Sequence, residues 1–308
     1  PVHMPPVPAA RLTRRVTTVV LIGLLSGQGA GAQVKDGHPG GSTPASLDPT
    51  SRSLFYHADD GQFQYRLNGR LQLDAGVYRD TRHQRTYRAQ LRRGRLGVTA
   101  RLRRTWGVEF EVGHSGTKLS IQDAWISYDG IPSALLKVGH FKEPFSLERL
   151  TSSVDTTFLE RALPNALTPG RNLGLAYSHW GNHWRLTAGI FGQLERESVS
   201  HEHERTTDDG FATTTRFTVS PMKRTGRTVH LGVSASYRTP AINDTSPHVL
   251  RLRARTETRV NPTWFLDTGR LPDVNHFSVW GTEAAVVMGS VLIQGEYIQA
   301  TVRRLPPS

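Results

Sequence analysis

Residues 63–78 alternate strictly. Phe63, Tyr65, Leu67, Leu71, Leu73, Ala75 and Val77 take one set of positions, and Gln64, Arg66, Asn68, Arg70, Gln72 and Asp74 take the other. A period of two makes a strand with one apolar and one polar face. At about 3.3 Å per residue this strand is about 50 Å long. Strands of globular domains usually stop within about 3–10 residues. A longer strand, charged along a whole face, suits a tilted barrel strand between lipid and water.

The pattern recurs. In residues 90–102, Leu96, Val98, Ala100 and Leu102 oppose Arg93, Arg95, Thr99 and Arg101. Residues 106–112 alternate Trp, Val, Phe and Val with Gly and two Glu, and in 119–128 Ala124, Ile126 and Tyr128 oppose Asp123 and Trp125. Similar segments fall at 135–141, 173–180, 184–191, 211–219, 229–237, 249–255, 276–288 and 291–302, which makes about twelve strands in neighbouring hairpins. Aromatic residues gather near their ends, among them Tyr78, Trp106, Tyr128, Tyr177, Trp180, Trp184 and Tyr237. Such a distribution suits membrane interfaces.

Arg11, Arg14 and Arg15 precede an apolar run at 16–25, and Ala30-Gly31-Ala32 offers a cleavage site. Residues 1–32 therefore read as a secretory signal peptide, the apolar run falling well short of the roughly twenty residues of a spanning helix. Residues 33–61, rich in Gly, Ser, Pro and His, read as a flexible linker. The chain contains no cysteine, which excludes a disulfide scaffold. Its 38 Lys+Arg against 26 Asp+Glu, net +12, predict anionic partners. The 37% hydrophobic share is low for a soluble core but suits a barrel with a polar lumen.

Between two alternating segments, residues 139–174 break the pattern. The stretch GHFKEPFSLERLTSSVDTTFLERALPNALTPGRNLG mixes cations, carboxylates and prolines. A loop this long in a compact protein is usually functional. It reads as a segment folded inward, constricting a pore at about residues 141–172.

GHFKEPFSLERLTSS and FLERALPNAL-TPGRNLGLAYS resemble the phosphate-selective porins O and P. The resemblance extends through RRGRLGVTARL, LRLRARTETR, LDTGRLPDVNHFSVWGTEAA and IQGEYIQA. It implies an all-β protein, a transmembrane antiparallel β-barrel with an inward-folded third loop, over residues 62–308. It also implies a homotrimer in outer-membrane lipid, passing phosphate, polyphosphate or other small anions, with no enzyme activity and no cofactor. The family's barrels have roughly sixteen strands, so about four are absent here and the barrel is expected to be incomplete. The chain ends Leu305-Pro306-Pro307-Ser308, where prolines cannot donate to a ladder.

Arg251, Arg253 and Arg255 alternate with Leu250 and Leu252, which places three guanidinium groups on one strand face. With Arg259 they match the family's arginine stair. Arg92 and Arg93 match a basic pair near its constriction. On a regular strand they face opposite ways; a bulge at Gly94 would reconcile them, and Arg93 shares its face with Arg95. Lys142 matches a lysine that contacts anion at the narrow point. Asp123 is a candidate lumen carboxylate, either accepting from phosphate or pairing with an arginine. Arg149, Arg161 and Arg171 lie in the loop, where Glu148 and Glu160 are expected to pair with some of them. His201-Glu202-His203-Glu204-Arg205 reads as a solvated loop tip rather than a metal site, and no Gly-rich phosphate cradle or G-x-S-x-G elbow is present. Two other classes fit the alternation: an outer-membrane phospholipase-like barrel, and an exported soluble β protein that binds polyanions such as nucleic acid or heparin-like polymers; the porin reading itself expects no nucleic-acid partner.

Overall fold

The structure, a computed structural model, describes residues 15–17, 23–26, 46–48, 53–57, 62–79, 85–115, 118–158, 160–192, 209–240, 249–255 and 264–306. Four short strands come first: β1 (Arg15–Thr17), β2 (Gly23–Ser26), β3 (Ser46–Asp48) and β4 (Ser53–His57). Then follow β5 (Phe63–Arg79), β6 (Arg85–Leu102), β7 (Trp106–Ser115), β8 (Lys118–Tyr128) and β9 (Ala134–Lys142). The central stretch holds a one-turn helix α1 (Leu147–Leu150) and a 3₁₀ turn (Leu163–Leu167). After it come β10 (Arg171–Trp180), β11 (Trp184–Gly192), β12 (Asp209–Arg224) and β13 (Arg227–Pro240). The last four are β14 (Arg253–Arg255), β15 (Trp264–Asp267), β16 (Val274–Met288) and β17 (Val291–Arg304).

Eleven long strands, β5 to β13 with β16 and β17, form one antiparallel sheet in which β13 pairs directly with β16. β3 and β4 extend the sheet beyond β5, inside the stretch expected to be a linker, and β1 and β2 lie along β17. Among the described residues the strand order is an open path, and no closed barrel is formed. The strand expected at 249–255 is absent from the wall. Only Arg253–Arg255 is extended, paired with β15 in a separate two-stranded sheet.

The two faces of the wall are buried the wrong way round for a soluble protein. Leu71 is 69% exposed, Leu73 73% and Leu96 65%, whereas Arg92 is 2% exposed and Arg238 0%. On β13, Leu231, Val233 and Tyr237 face out while Ser234, Ser236 and Arg238 are buried. The polar face is covered by the central stretch. Phe145 and Leu167 pack with Val279 of β16 and with Ile298 and Ala300 of β17. At the far end of the sheet Ser153 accepts from Arg70 of β5 at 2.8 Å. Laid flat, eleven strands span about 48 Å at about 4.8 Å per step. One loop that reaches both ends requires a sheet strongly curled around it.

Gly139, at the entry to the loop, has φ +132°. A Cβ there would stand 2.3 Å from the Ala124 carbonyl oxygen and 2.6 Å from the Trp125 Cα. Gly139→Ala is expected to destabilise the fold by about 1–3 kcal/mol. Gly69→Ala, whose added Cβ meets nothing nearer than 3.9 Å, serves as the control. Thermal unfolding in detergent checks both.

Candidate functional site: a charge-lined cavity beneath the central loop

The loop has little regular structure, so side chains satisfy its backbone. Ser146 caps α1, accepting from the Arg149 amide at 3.0 Å. The Lys142 ammonium donates to the carbonyls of Arg149, Leu150 and Thr151 at 2.9, 3.3 and 3.3 Å, closing the other end of that turn. Arg161 donates to the Glu148 and Thr151 carbonyls at 3.0 and 2.7 Å, and Arg149 to that of Pro169 at 3.2 Å. The Glu148 carboxylate accepts from the Ala162 amide at 3.1 Å and from the Asn165 side chain. Burial raises its pKa above the ordinary carboxylate value.

Besides the Arg70–Ser153 hydrogen bond, four contacts among the described residues tie this loop and its flanks to the wall. Glu160 sits between Arg92 and Arg93, accepting at 2.8 Å from the first and 2.9 Å from the second. Glu143 takes both terminal nitrogens of Arg238 at 2.8 and 3.0 Å, with both side chains fully buried. Asn172 and Thr214 also donate to the Glu143 carboxylate. Arg171, where the chain rejoins the wall, donates twice to Asp123 at 3.0 and 2.8 Å. At the far side the Glu148 amide donates to Glu296 of β17.

Both Arg92 and Arg93 reach Glu160 because of a bulge. Gln72 pairs with Arg93 and Leu73 with Leu91, so Arg92 is the extra residue of β6. The bulge that reconciles the pair lies at Arg92 rather than at Gly94, and it turns two successive guanidinium groups to one side.

Under the loop is a cavity of about 310 Å³. Arg70, Arg95, Lys137, Lys142, Arg161 and Arg171 line it with Glu109, Glu111 and Asp123, six cations against three carboxylates. Glu111 accepts from Arg95 at 2.9 Å and from Arg70 at 3.3 Å. The Lys137 ammonium lies 3.9 Å over the Trp125 ring, a cation–π contact inside the same wall. The excess of cations leaves the cavity net positive, with every guanidinium near a carboxylate or a carbonyl.

Arg95, Lys142, Asp123, Arg161 and Arg171 are thus brought together around one cavity, with Arg92 and Arg93 beside it under Glu160. Arg149 is buried within the loop. Three expectations are corrected. Glu160 pairs with wall arginines rather than loop ones. Glu148 holds loop amides, and Arg161 meets its carbonyl rather than its carboxylate. Arg253 stands on the small β14–β15 sheet and Arg251 just before it, neither on the wall. Their leucines do alternate as expected, but Leu250 and Leu252 pack against Phe145 and Leu167 of the loop. Burying those leucines draws the segment off the wall, and Arg251 pairs with Asp267 at 2.8 Å while Arg253 stacks 4.5 Å over Trp264. The hydrogen bond from Arg251 pulls the Asp267 carboxyl down to about 2. The Arg255 side chain, Arg259 and residues 201–205 lie outside the described residues.

The sequence reading missed Glu109, Glu111, Lys137 and Arg238 as site residues. The first two stood on the polar face of the alternation at 106–112, so period two alone could have found them. Arg238 carries no local signal, because its partner lies 95 positions away.

A curled sheet, greasy outside and charged within, with an inserted loop pinned over a basic cavity, is the organisation of a porin-type wall. The model of the phosphate-selective porin O and P family matches residues 65–307, and the chain belongs to that family. Porin O of Pseudomonas aeruginosa is 26% identical over 290 residues, covering 81% of this chain and 61% of its own length. A Caulobacter vibrioides protein described as "Uncharacterized protein" is 28% identical over 238 residues, covering 74% of this chain and 47% of its own length. The chain thus spans about half to three-fifths of these curated relatives. Pseudomonas putida OprB, in its high-pH structure, aligns over 79% of this chain and 93% of its own with TM-score 0.37 and 9% identity.

Removing one member of a buried ion pair leaves the other uncompensated, at a cost of about 3–5 kcal/mol. Arg238→Ala is therefore expected to release the loop at Glu143. Limited proteolysis in detergent should show new cleavage within 143–170 in the variant and none there in the parent chain.

Proposed function

We propose that this chain forms wall and constriction of a β-barrel channel in the bacterial outer membrane, passing phosphate or other small anions by passive diffusion. One observation carries this reading: large aliphatic side chains stand exposed on one face of a sheet whose other face buries arginines and carboxylates. In a soluble fold both halves of that arrangement are costly; between lipid and an aqueous lumen both are favoured. The family match and the likeness to Porin O support it. A trimer in outer-membrane lipid follows from the same kinship and is part of the proposal.

The loop gives the channel its selectivity. Charges more than about 8 Å from an ion are screened at physiological salt, so a wide pore discriminates poorly. An oxyanion brought within about 4 Å of a guanidinium gains on the order of 4 kcal/mol at an effective dielectric near 20. Most of that offsets lost hydration. The interleaved carboxylates keep the remainder small, so the ion also leaves.

Glu160 is the adjustable member, since it occupies the donors of two adjacent arginines. Glu160→Gln is expected to raise anion-over-cation preference and to strengthen phosphate block of chloride current by about tenfold, the effect of about 1.4 kcal/mol. Reversal potentials in planar bilayers under a salt gradient check it. Cation preference in the parent chain would overturn the anion reading.

A further inference from the structure

Five short connections are described at the end of the sheet away from the central loop, β6–β7, β8–β9, β10–β11, β12–β13 and β16–β17, while most of the β4–β5 connection, with Asp59 and Asp60, lies outside the described residues. Across them Asp129 is the sole acidic residue, and it already holds Arg101. Arg103, Arg104, Arg185, Lys223, Arg224 and Arg227 all stand exposed there.

Two of these turns break rules that a hairpin normally keeps. Arg103 and Arg104 have φ +48° and +61°, in the left-handed region that Gly or Asn adopts with less strain. Arg224 and Arg227 face each other directly across the β12–β13 ladder, a like-charge pair that repels. Both costs persist in a sequence that could avoid them with neutral residues. An anion lying between the side chains would offset the second and use the first.

The neighbouring surface indicates which anion. Just above the rim the outward face carries an aromatic band. Trp106 lies 4.8 Å from Tyr128 in a tilted contact, and Trp184 lies 6.3 Å from Phe217. Aromatic rings with guanidinium groups beside them sit at the headgroup level of a bilayer. We propose that this basic rim docks on the headgroups of anionic phospholipid, fixing the depth and tilt of the wall in the leaflet it faces. The inference rests on the membrane reading above.

Flotation of the full chain, diluted from detergent onto two kinds of vesicle, tests it. One is phosphatidylcholine alone; the other contains phosphatidylglycerol. Each basic side chain near an anionic surface contributes a factor of about five, so association with the anionic vesicles should be at least about tenfold stronger at low salt. That preference should fade as salt rises. The variant Arg103→Asn with Arg104→Gly, which relieves the turn, and the variant Arg224→Thr with Arg227→Thr should each lose most of the preference. Both should still bind phosphatidylcholine, which shows that they fold. Equal binding of the parent chain to both vesicles overturns the rim proposal and leaves the membrane reading intact. No binding to either vesicle overturns the membrane reading itself. Loss of the preference in millimolar inorganic phosphate, at constant ionic strength, or with soluble polyglutamate would assign the rim to free phosphate or to an acidic protein and overturn the lipid proposal.

Discussion

A charge taken from water must find a partner or the fold gives way. Glu143 and Arg238 are both fully buried, and the cost of desolvating each is of order several kcal/mol. Their bidentate contact, with Asn172 and Thr214 filling the remaining acceptor positions, offsets that cost. The consequence is geometric. Glu143 belongs to the loop and Arg238 to β13, so meeting this requirement draws the loop across the concave face. The charge pairs at Glu160 and Arg171 and the hydrogen bond to Glu296 then fix where it lies. In this molecule polar contacts do the positioning that apolar packing does in a soluble core.

Apolar packing does exist inside, but it is local. Phe145 and Leu167 meet Leu250, Leu252, Val279 and Ile298 in a cluster on one side of the loop. The other side, over β5 to β9, has the basic cavity instead. The loop thus divides the interior into a dry, apolar half and a charge-lined half around the cavity. This division explains why the leucines of the β14 segment are buried. They complete the dry half, and their arginines point away from it, onto Asp267 and Trp264.

The wall was legible in the sequence because its rule is local. Residues 63–78 alternate because each side chain has only two directions to point, and the two faces of the sheet meet different surroundings. The break at 139–174 was legible for the same reason. The pairing inside was not. Glu160 lies 67 residues from Arg93 and Arg238 lies 95 from Glu143. Many arginines on the polar faces could have met either carboxylate, and the loop path that selects among them is itself the product of those contacts. The segment 249–255 shows the limit clearly. Its alternation was read correctly, but alternation reports a face and not the sheet to which the face belongs.

Period two also sets a ceiling on how much charge a strand can direct inward, and the wall exceeds that ceiling at two points. Arg92 on β6 and Gln122 on β8 are the extra residues at two breaks of the pairing register, and both are buried. The bulge at Arg92 brings two guanidinium groups onto Glu160. The bulge at Gln122 sits one position before Asp123, the partner of Arg171, and its carbonyl lies 3.0 Å from the Nδ1 of His140. A bulge also increases local twist and bends its strand. The sheet has to curl around its loop, and the residues that add inward polarity at the loop contacts are the ones that add the bend. At Arg92 and Gln122, therefore, inward polarity and curvature come from the same irregularities.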